Sequence, residues 1–240
     1  MKVCAVIVAA GTSRRCDGPV PKQFRDIYGR PLLSWTISRF EAARSVDQIV
    51  VVVPENSLLF TTQRVIGPYH YRKVTKVVAG GATRRISVRN GLEALPVSTD
   101  VVVIHDGVRP LIAPSDIDRV VKTGRQERAA IIAVKATDTV KHVKEEFILS
   151  TLDRDSLYLA QTPQVFQYDL IMTAHRELRD AERGGEYTDD ASMIEARGFK
   201  VKIVEPTGLN LKVTTHHDLA LVRALLAQEG YEESENRSRL

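Results

Sequence analysis

Six short runs rich in Val, Ile and Ala recur along this chain: Val3–Val8, Ile49–Val53, Lys73–Ala79, Val101–Ile104, Ala130–Val134 and Lys200–Val204. They are near-continuously apolar rather than alternating. That is the pattern of strands buried on both faces, which arises when helices connect parallel strands and cover the sheet above and below. The segments between them carry helical signals. Pro31 stands at a first-turn position, and Leu33, Ile37 and Phe40 follow on one face. Ser115 with Asp118 has the spacing of a capping box ahead of Ile117, Val120 and Val121, and Thr215 with Asp218 repeats it ahead of Leu219, Val222 and Leu226. The expected architecture is α/β, a Rossmann-like and mostly parallel sheet sandwiched by helices.

One segment breaks the alternation. Thr137 to Tyr158, "TDTVKHVKEEFILSTLDRDSLY", reads as two β-runs around the polar turn "KEE", with no helix between them. A hairpin inserted into an α/β domain has no core of its own, so it is expected to extend as an arm. An arm needs a partner surface, and a twofold homodimer is the simplest source. Residues 1–228 are expected to form a single domain that includes the 137–158 arm, and residues 229–240 a disordered charged tail.

Composition excludes several classes. No apolar run approaches the ~18 residues needed to cross a membrane. "MKVCAVIVAAG" runs into a Gly turn and two arginines, as a first strand does and a signal peptide does not. Two cysteines, Cys4 and Cys16, make neither a disulfide framework nor a zinc quartet, and a reduced cytoplasm is the expected location. The net charge of +4 is mild and is not gathered in lysine-rich blocks or interleaved with aromatic residues, which argues against nucleic acid. Single basic residues punctuating loops suit small anionic ligands better.

The most distinctive loop is "VAAGTSRRCDGPVPKQF", residues 8 to 24. Ala9, Ala10 and Gly11 put small residues at the carboxyl end of the first strand, the edge at which open α/β sheets bind ligands. Arg14, Arg15 and Lys22 offer cationic donors for phosphate oxygens, and Pro19 and Pro21 restrict the loop. Neither G-x-x-x-x-G-K-[ST] nor G-x-G-x-x-G is present, and a solvated basic loop remains the plain alternative. Asp106 follows "VVVIH", so its carboxylate emerges at another strand end, where it suits Mg²⁺ shared with phosphate oxygens or else caps its own turn. His105 is expected to be a packed strand residue, and Thr188 a helix N-cap. Two further patterns are set aside. Asp153-Arg154-Asp155 is a D-x-D lying in the hairpin, away from any core strand end. His216 and His217 are adjacent on a helix and point apart, so no metal is expected there.

Taken together, "AAGTSRR…PKQ", "GGATRRISV" at 80–88, "HDGVRP" at 105–110, "DTVK" at 138–141, "DR" at 153–154, "QTPQVF" at 161–166, "YTDDAS" at 187–192 and "LNLKVTTHHDL" at 209–219 resemble, in order and spacing, the 2-C-methyl-D-erythritol 4-phosphate cytidylyltransferases within the sugar-phosphate nucleotidyltransferase superfamily. The resemblance covers almost the whole chain. It implies attack of a polyol phosphate oxygen on the α-phosphate of CTP with release of pyrophosphate. It places Arg15, Lys22 and Lys212 as catalytic cations, and Ala9, Ala10, Gly11, Gly81, Ala82, Ser87 and Asp106 around CTP, with Asp106 also on Mg²⁺. Arg109, Thr139, Arg154 and Thr188 would face the acceptor phosphate, Thr139 and Arg154 reaching across a dimer. The alternative for Arg109 is a structural salt bridge. Thr162 fits a structural place, and Arg84 supports the "GGATRR" turn. The chain departs from the family pattern at Ser13, where a second glycine is frequent, at Arg85-Ile86 before Ser87, and at Gly107-Val108, where Ala-Ala is usual. A cytidylyltransferase for ribitol 5-phosphate shares the CTP half of these motifs and stays open as an alternative. So does a CTP-binding module without turnover, although Lys22, Lys212 and Asp106 together argue against it.

Overall fold

The computed structural model describes residues 1–11, 20–180 and 187–230, with residues 178–180 described by backbone only. The strands are β1 (Val3–Val8), β2 (Asp26–Ile27), β3 (Arg30–Pro31), β4 (Gln48–Val53), β5 (Val74–Ala79), β6 (Val101–Asp106), β7 (Ala129–Lys135), β8 (Lys141–Lys144), β9 (Phe147–Thr151), β10 (Tyr158–Gln167) and β11 (Lys202–Val204). The helices are α1 (Leu32–Ala42), α2 (Leu58–Phe60), α3 (Arg84–Glu93), α4 (Pro114–Glu127), α5 (Tyr168–Asp180), α6 (Asp190–Glu195) and α7 (His216–Gln228).

Seven strands form one sheet in the order β11-β7-β10-β6-β1-β4-β5. All pair in parallel except β10, which runs antiparallel between β6 and β7. The six apolar runs are all strands of this sheet. Side-chain alternation sorts each strand between two cores. Val3, Ala5 and Ile7 of β1 join Leu33, Ile37 and Phe40 of α1 and Ile117, Val120 and Val121 of α4 on one face. Cys4 and Val6 join Val88 and Leu92 of α3, Leu170 and Ile171 of α5, and Ile194 of α6 on the other. A third cluster fastens α7 through Val222 and Leu226 to Trp35 and Val213.

Several local expectations are corrected. α4 begins at Pro114 with Ala113 as its N-cap and no side-chain cap, so Ser115 and Asp118 form no capping box. Asp118 instead accepts from the Ser45 N–H at 2.8 Å and the Ser45 hydroxyl at 2.6 Å, which tie α4 to the chain leaving α1. Pro31 is the N-cap of α1, just outside the first turn. The Thr215–Asp218 box on α7 is present in full. β10 is an additional strand: its "QTPQ" interrupts the apolar pattern, and a register shift falls between Ala160 and Gln164. Asp153 caps a single turn by accepting from the Asp155 N–H at 3.1 Å, and His216 pairs with the Arg25 guanidinium at 2.9 Å.

The arm is present as the hairpin β8–β9, turning at Glu145 and Glu146, both with positive φ. Every residue of its two strands is exposed, Phe147 by 76% and Ile148 by 63%. At the other end of the chain, Glu229 pairs with Arg39 at 2.6 Å, so the charged tail is anchored at its first residue. Residues 231–240 lie outside the described residues.

His105 on β6 and His175 on α5 are both buried, and burial pushes their imidazoles down from 6.5 to about 3 and about 4. The unfolded chain takes up these protons first, so the contribution is complete above pH 6.5 and is lost as pH falls toward those values. Urea denaturation at pH 7 and pH 5 should show a loss on the order of 2 kcal/mol for each histidine. His175→Leu should remove about half of the combined loss, and an unchanged pH dependence would contradict the assignment.

Candidate active site

Backbone bonds draw the carboxyl edge of the sheet together. The residue after β1 donates to β4 (Ala9 N–H to Val52 O, 2.7 Å), the residue after β5 donates to β4 (Gly80 N–H to Val53 O, 2.8 Å), and the residue after β6 donates to β1 (Gly107 N–H to Val8 O, 2.8 Å). At Gly80 a Cβ would run into Ala10 and come within 2.9 Å of the Ser87 hydroxyl, so only glycine lets this turn lie against the first strand. A cavity of about 330 Å³ opens over this edge. Ala9, Ala10 and Gly11 line it from the end of β1, and Gly81, Ala82 and Ser87 from the turn before α3, while Lys22, Asp106 and Lys212 bring their charges around it. A larger and shallower groove of about 770 Å³ runs along α4 and β11 beside Lys122 and Lys202, with none of the expected residues in it. The chemistry belongs to the smaller cavity, where charge and close backbone converge.

Pro21 leads into one 3₁₀ turn, Lys22–Phe24. Gln23 is 1% exposed and donates to the carbonyls of Ala9 at 2.9 Å and Gly11 at 3.3 Å. This fixes the lysine's turn to the end of β1, a role that only the polar residue inside "PKQ" signals in the sequence. Arg15, with Ser13, Arg14 and Pro19, lies outside the described residues. Across the cavity, Thr83 caps α3 by accepting from the Ile86 N–H at 3.2 Å. The Ser87 hydroxyl donates to Thr83 O at 2.9 Å and accepts from the Gly81 N–H at 3.0 Å, which leaves one lone pair for a ligand donor. Ile86, one of the family departures, packs where a Cβ on Gly81 would stand.

Asp106 is the hub. Lys212 Nζ lies 2.8 Å from its Oδ2, Arg109 Nε 3.6 Å from the same oxygen, and Arg84 Nε 3.4 Å from Oδ1. Burial pushes the Asp106 carboxyl up, but Arg84, Lys212 and Arg109 outweigh it and hold it well below the usual carboxylate range. Burial pulls the Arg84 guanidinium down, and Asp190 with Asp106 more than offsets this; burial also pushes the Asp190 carboxyl up, against the pull of Arg84 at 2.8 Å. Three cations against Asp106 and Asp190 leave the cluster positive, as an anionic ligand requires. Lys212 is 40% exposed and points its charge toward the cavity, whereas Asp106 is 10% exposed beneath it.

Behind the hub is a buried polar chain. The Asp106 N–H donates to Thr162 Oγ1 at 3.1 Å, and Thr162 pairs with His105 Nδ1 at 3.0 Å. His105 Nε2 lies 3.1 Å from the Arg109 carbonyl, which can only accept, so neutral His105 carries its proton on Nε2 and takes the Thr162 hydroxyl on Nδ1. Arg109 Nη1 donates to Asn210 O at 2.7 Å, and Asn210 Nδ2 donates to Thr162 O at 2.7 Å. The segment bearing Lys212 is therefore held to β6 and β10. Thr162 is structural, as expected, and Arg109 is buried in the ion pair that was its alternative.

Of the four acceptor-side residues, Arg109 is in the ion cluster on Asp106, while Thr139, Arg154 and Thr188 are not among the residues that line the cavity. Thr139 and Arg154 are exposed on the arm, where Arg154 donates to Thr137 O at 2.8 Å. Thr188 is exposed two residues before α6, whose N-cap is Asp189 rather than Thr188, accepting from the Ser192 N–H at 2.9 Å. For a metal, the described residues place no three His, Cys, Asp or Glu together. One buried carboxylate at the mouth of a cationic cavity fits a hard cation shared with substrate phosphates, not one caged by protein alone.

The family profile described as IspD: 2-C-methyl-D-erythritol 4-phosphate cytidylyltransferase matches residues 3–228. The chain is similar to the 2-C-methyl-D-erythritol 4-phosphate cytidylyltransferase of Syntrophotalea carbinolica, 44% identical over 96% of this chain and 98% of that one. It is also similar to the enzyme of the same name from Syntrophus aciditrophicus, 40% identical over 95% and 97%. Among solved structures, a 4-diphosphocytidyl-2C-methyl-D-erythritol synthase from Anaerococcus prevotii superposes with a TM-score of 0.82 at 28% identity, over 94% and 96% of the two chains. The 2-C-methyl-D-erythritol 4-phosphate cytidylyltransferase from Thermus thermophilus does so at 0.75 and 31%, over 94% and 98%.

Thr162→Val keeps the shape of the side chain but removes the acceptor for the Asp106 N–H and the donor to His105. The expected cost is about 1–3 kcal/mol of stability, read by urea denaturation. A neutral substitution would show that the chain behind the hub is not needed.

Proposed function

The chain belongs to the 2-C-methyl-D-erythritol 4-phosphate cytidylyltransferase family, and we propose that the cavity around Asp106 is where its reaction takes place. The enzyme joins CTP and 2-C-methyl-D-erythritol 4-phosphate, giving 4-diphosphocytidyl-2-C-methyl-D-erythritol and pyrophosphate in isoprenoid biosynthesis. Of the two acceptors that the motifs left open, family membership selects the methylerythritol phosphate. The observation that carries the site is the meeting of Lys22, Lys212 and Asp106 around a cavity floored by Ala9, Ala10 and Gly11.

The acceptor phosphate has a second pKa near ~6, so it is already ionised at neutral pH and no side chain has to remove a proton. One of its oxygens bonds to the α-phosphorus, the bond to the β-phosphate breaks, and pyrophosphate leaves with the bonding pair. The protein supplies position and charge. The base lies against the Gly81–Ala82 turn and Ser87, the triphosphate toward Lys22 and Arg15. Lys212 pairs with Asp106 at 2.8 Å and moves to the α-phosphate oxygens as negative charge gathers there. Asp106 would hold Mg²⁺, which when bound offsets triphosphate charge. Arg109 holds Asp106 and, through Asn210, the Lys212 segment. Support for a homodimer comes from the exposed Phe147, Ile148 and Leu149 of an arm without a core, and Thr139 and Arg154 then reach the partner's acceptor site, with Thr188 on the same side. A cytoplasmic setting accords with the absence of any helix, among the described residues, long and apolar enough to cross a membrane.

Lys22→Met and Lys212→Met should each lower kcat for pyrophosphate release about 10²–10³-fold, with the fold retained by circular dichroism. Near-normal turnover in either would remove that lysine from the mechanism. Co-expressed Arg154→Ala and Lys212→Met chains test the arm. If Arg154 acts across the dimer, the mixed species has one site with an intact core and an intact arm, and activity returns. If Arg154 acts within its own chain, mixing restores nothing.

A further inference from the structure

Asp190 is the first residue of α6 and 1% exposed; a helix N-terminus favours an acidic side chain there, but the cap and the first helical N–H groups are already met by other residues. Asp189 caps the helix, and the N–H groups of Asp190 and Ala191 both go to Gln164 Oε1, at 3.1 and 3.0 Å. A buried carboxylate without a partner is strongly destabilising, so its presence points to the cation it faces. That cation is Arg84, whose Nη1 lies 2.8 Å from Asp190 Oδ2 while its Nε lies 3.4 Å from Asp106 Oδ1. Arg84 is thus shared between two carboxylates, one at the end of β6 and one at the start of α6. Because arginine stays protonated, its charge cannot be shed, only divided. Any positive charge concentrated on Asp106 opposes a second cation there.

We propose that Asp190 is a positioning residue that draws off part of the charge of Arg84, and so sets how readily Asp106 accepts a divalent cation together with CTP. The inference rests on the assignment of Asp106 as the cation-holding carboxylate. Outer partners of metal ligands commonly change metal affinity by about 10–100-fold when replaced, and Asp190 would be such a partner acting through an intervening arginine.

Calorimetric titration of the full chain with CTP, in the presence of Mg²⁺ and in its absence with chelator, gives the metal-dependent gain in CTP affinity. Asp190→Asn should reduce that gain about tenfold, leaving metal-free CTP affinity at least as high as before. Adding Arg84→Gln to Asp190→Asn should restore the gain, since the unshared charge is gone. Asp189→Asn, which alters a neighbouring carboxylate that does not face Arg84, should keep the gain within about twofold. If Asp106→Asn keeps the full gain, the assignment of Asp106 fails, and this proposal with it. If Asp106→Asn loses the gain but Asp190→Asn keeps it, the role of Asp190 alone is overturned. A double variant no better than Asp190→Asn, or an Asp189→Asn loss as large, would equally overturn it by showing general disruption or a diffuse field.

Discussion

A carboxylate buried at the end of a central strand requires compensating charge, and Asp106 obtains it from three separate parts of the chain. Arg84 comes from the start of α3, Arg109 from the turn after β6, and Lys212 from the segment before α7. Each would be an exposed basic residue in isolation. Their convergence fixes where the last third of the chain must lie against the sheet, because Asn210 and Val213 dock on the same turn at 2.7 and 2.9 Å. The ion cluster therefore organises the fold at this edge as well as the site. It also leaves a positive cavity in which Lys212 is the most exposed of the three cations.

Close backbone approach supplies the other half. Gly80 lies against Ala10 and Ser87, and Gly107 against Ala9 and Leu33. A side chain at either place would have to displace its neighbours. Gly107 stands where the family pattern has alanine, and in this chain Ala9 and Leu33 come within 2.8 Å of the position a Cβ would take there. The floor of the cavity is thus made of backbone and methyl groups, over which a planar base and a triphosphate can lie close to strand-end amides.

Much of this is legible in the sequence, for definable reasons. The six parallel strands are buried on both faces, so their apolar runs are continuous and unmistakable. The arm shows as two β-runs without a helix. Ala9, Ala10, Gly11, Gly81, Ala82 and Asp106 are small or charged residues at or just after strand ends, and strand ends are where open sheets bind. β10 is hidden because Gln161, Pro163 and Gln164 interrupt its apolar pattern, and those polar side chains serve Asn210 and α6 rather than solvent. The Ser115–Asp118 spacing misleads because Asp118 is recruited by Ser45 from another helix end, a tertiary contact that no local spacing announces. Thr188 and Asp189 both suit a cap by residue type, and the one-residue difference goes with Gln164, which bonds Asp189 and the first N–H groups of the helix. The Arg84–Asp190 pair spans more than a hundred residues of sequence and is visible only once α3 and α6 share a face.

In the proposed mechanism Lys212 pairs with Asp106 at 2.8 Å and its ammonium moves to the α-phosphate when CTP binds. A crystal structure with CTP and Mg²⁺ bound tests this most directly. There Lys212 Nζ should leave its 2.8 Å contact with Asp106 Oδ2 for an α-phosphate oxygen, while Arg84 and Arg109 stay on the carboxylate. Lys212 remaining on Asp106, with the α-phosphate met by other groups, would contradict it.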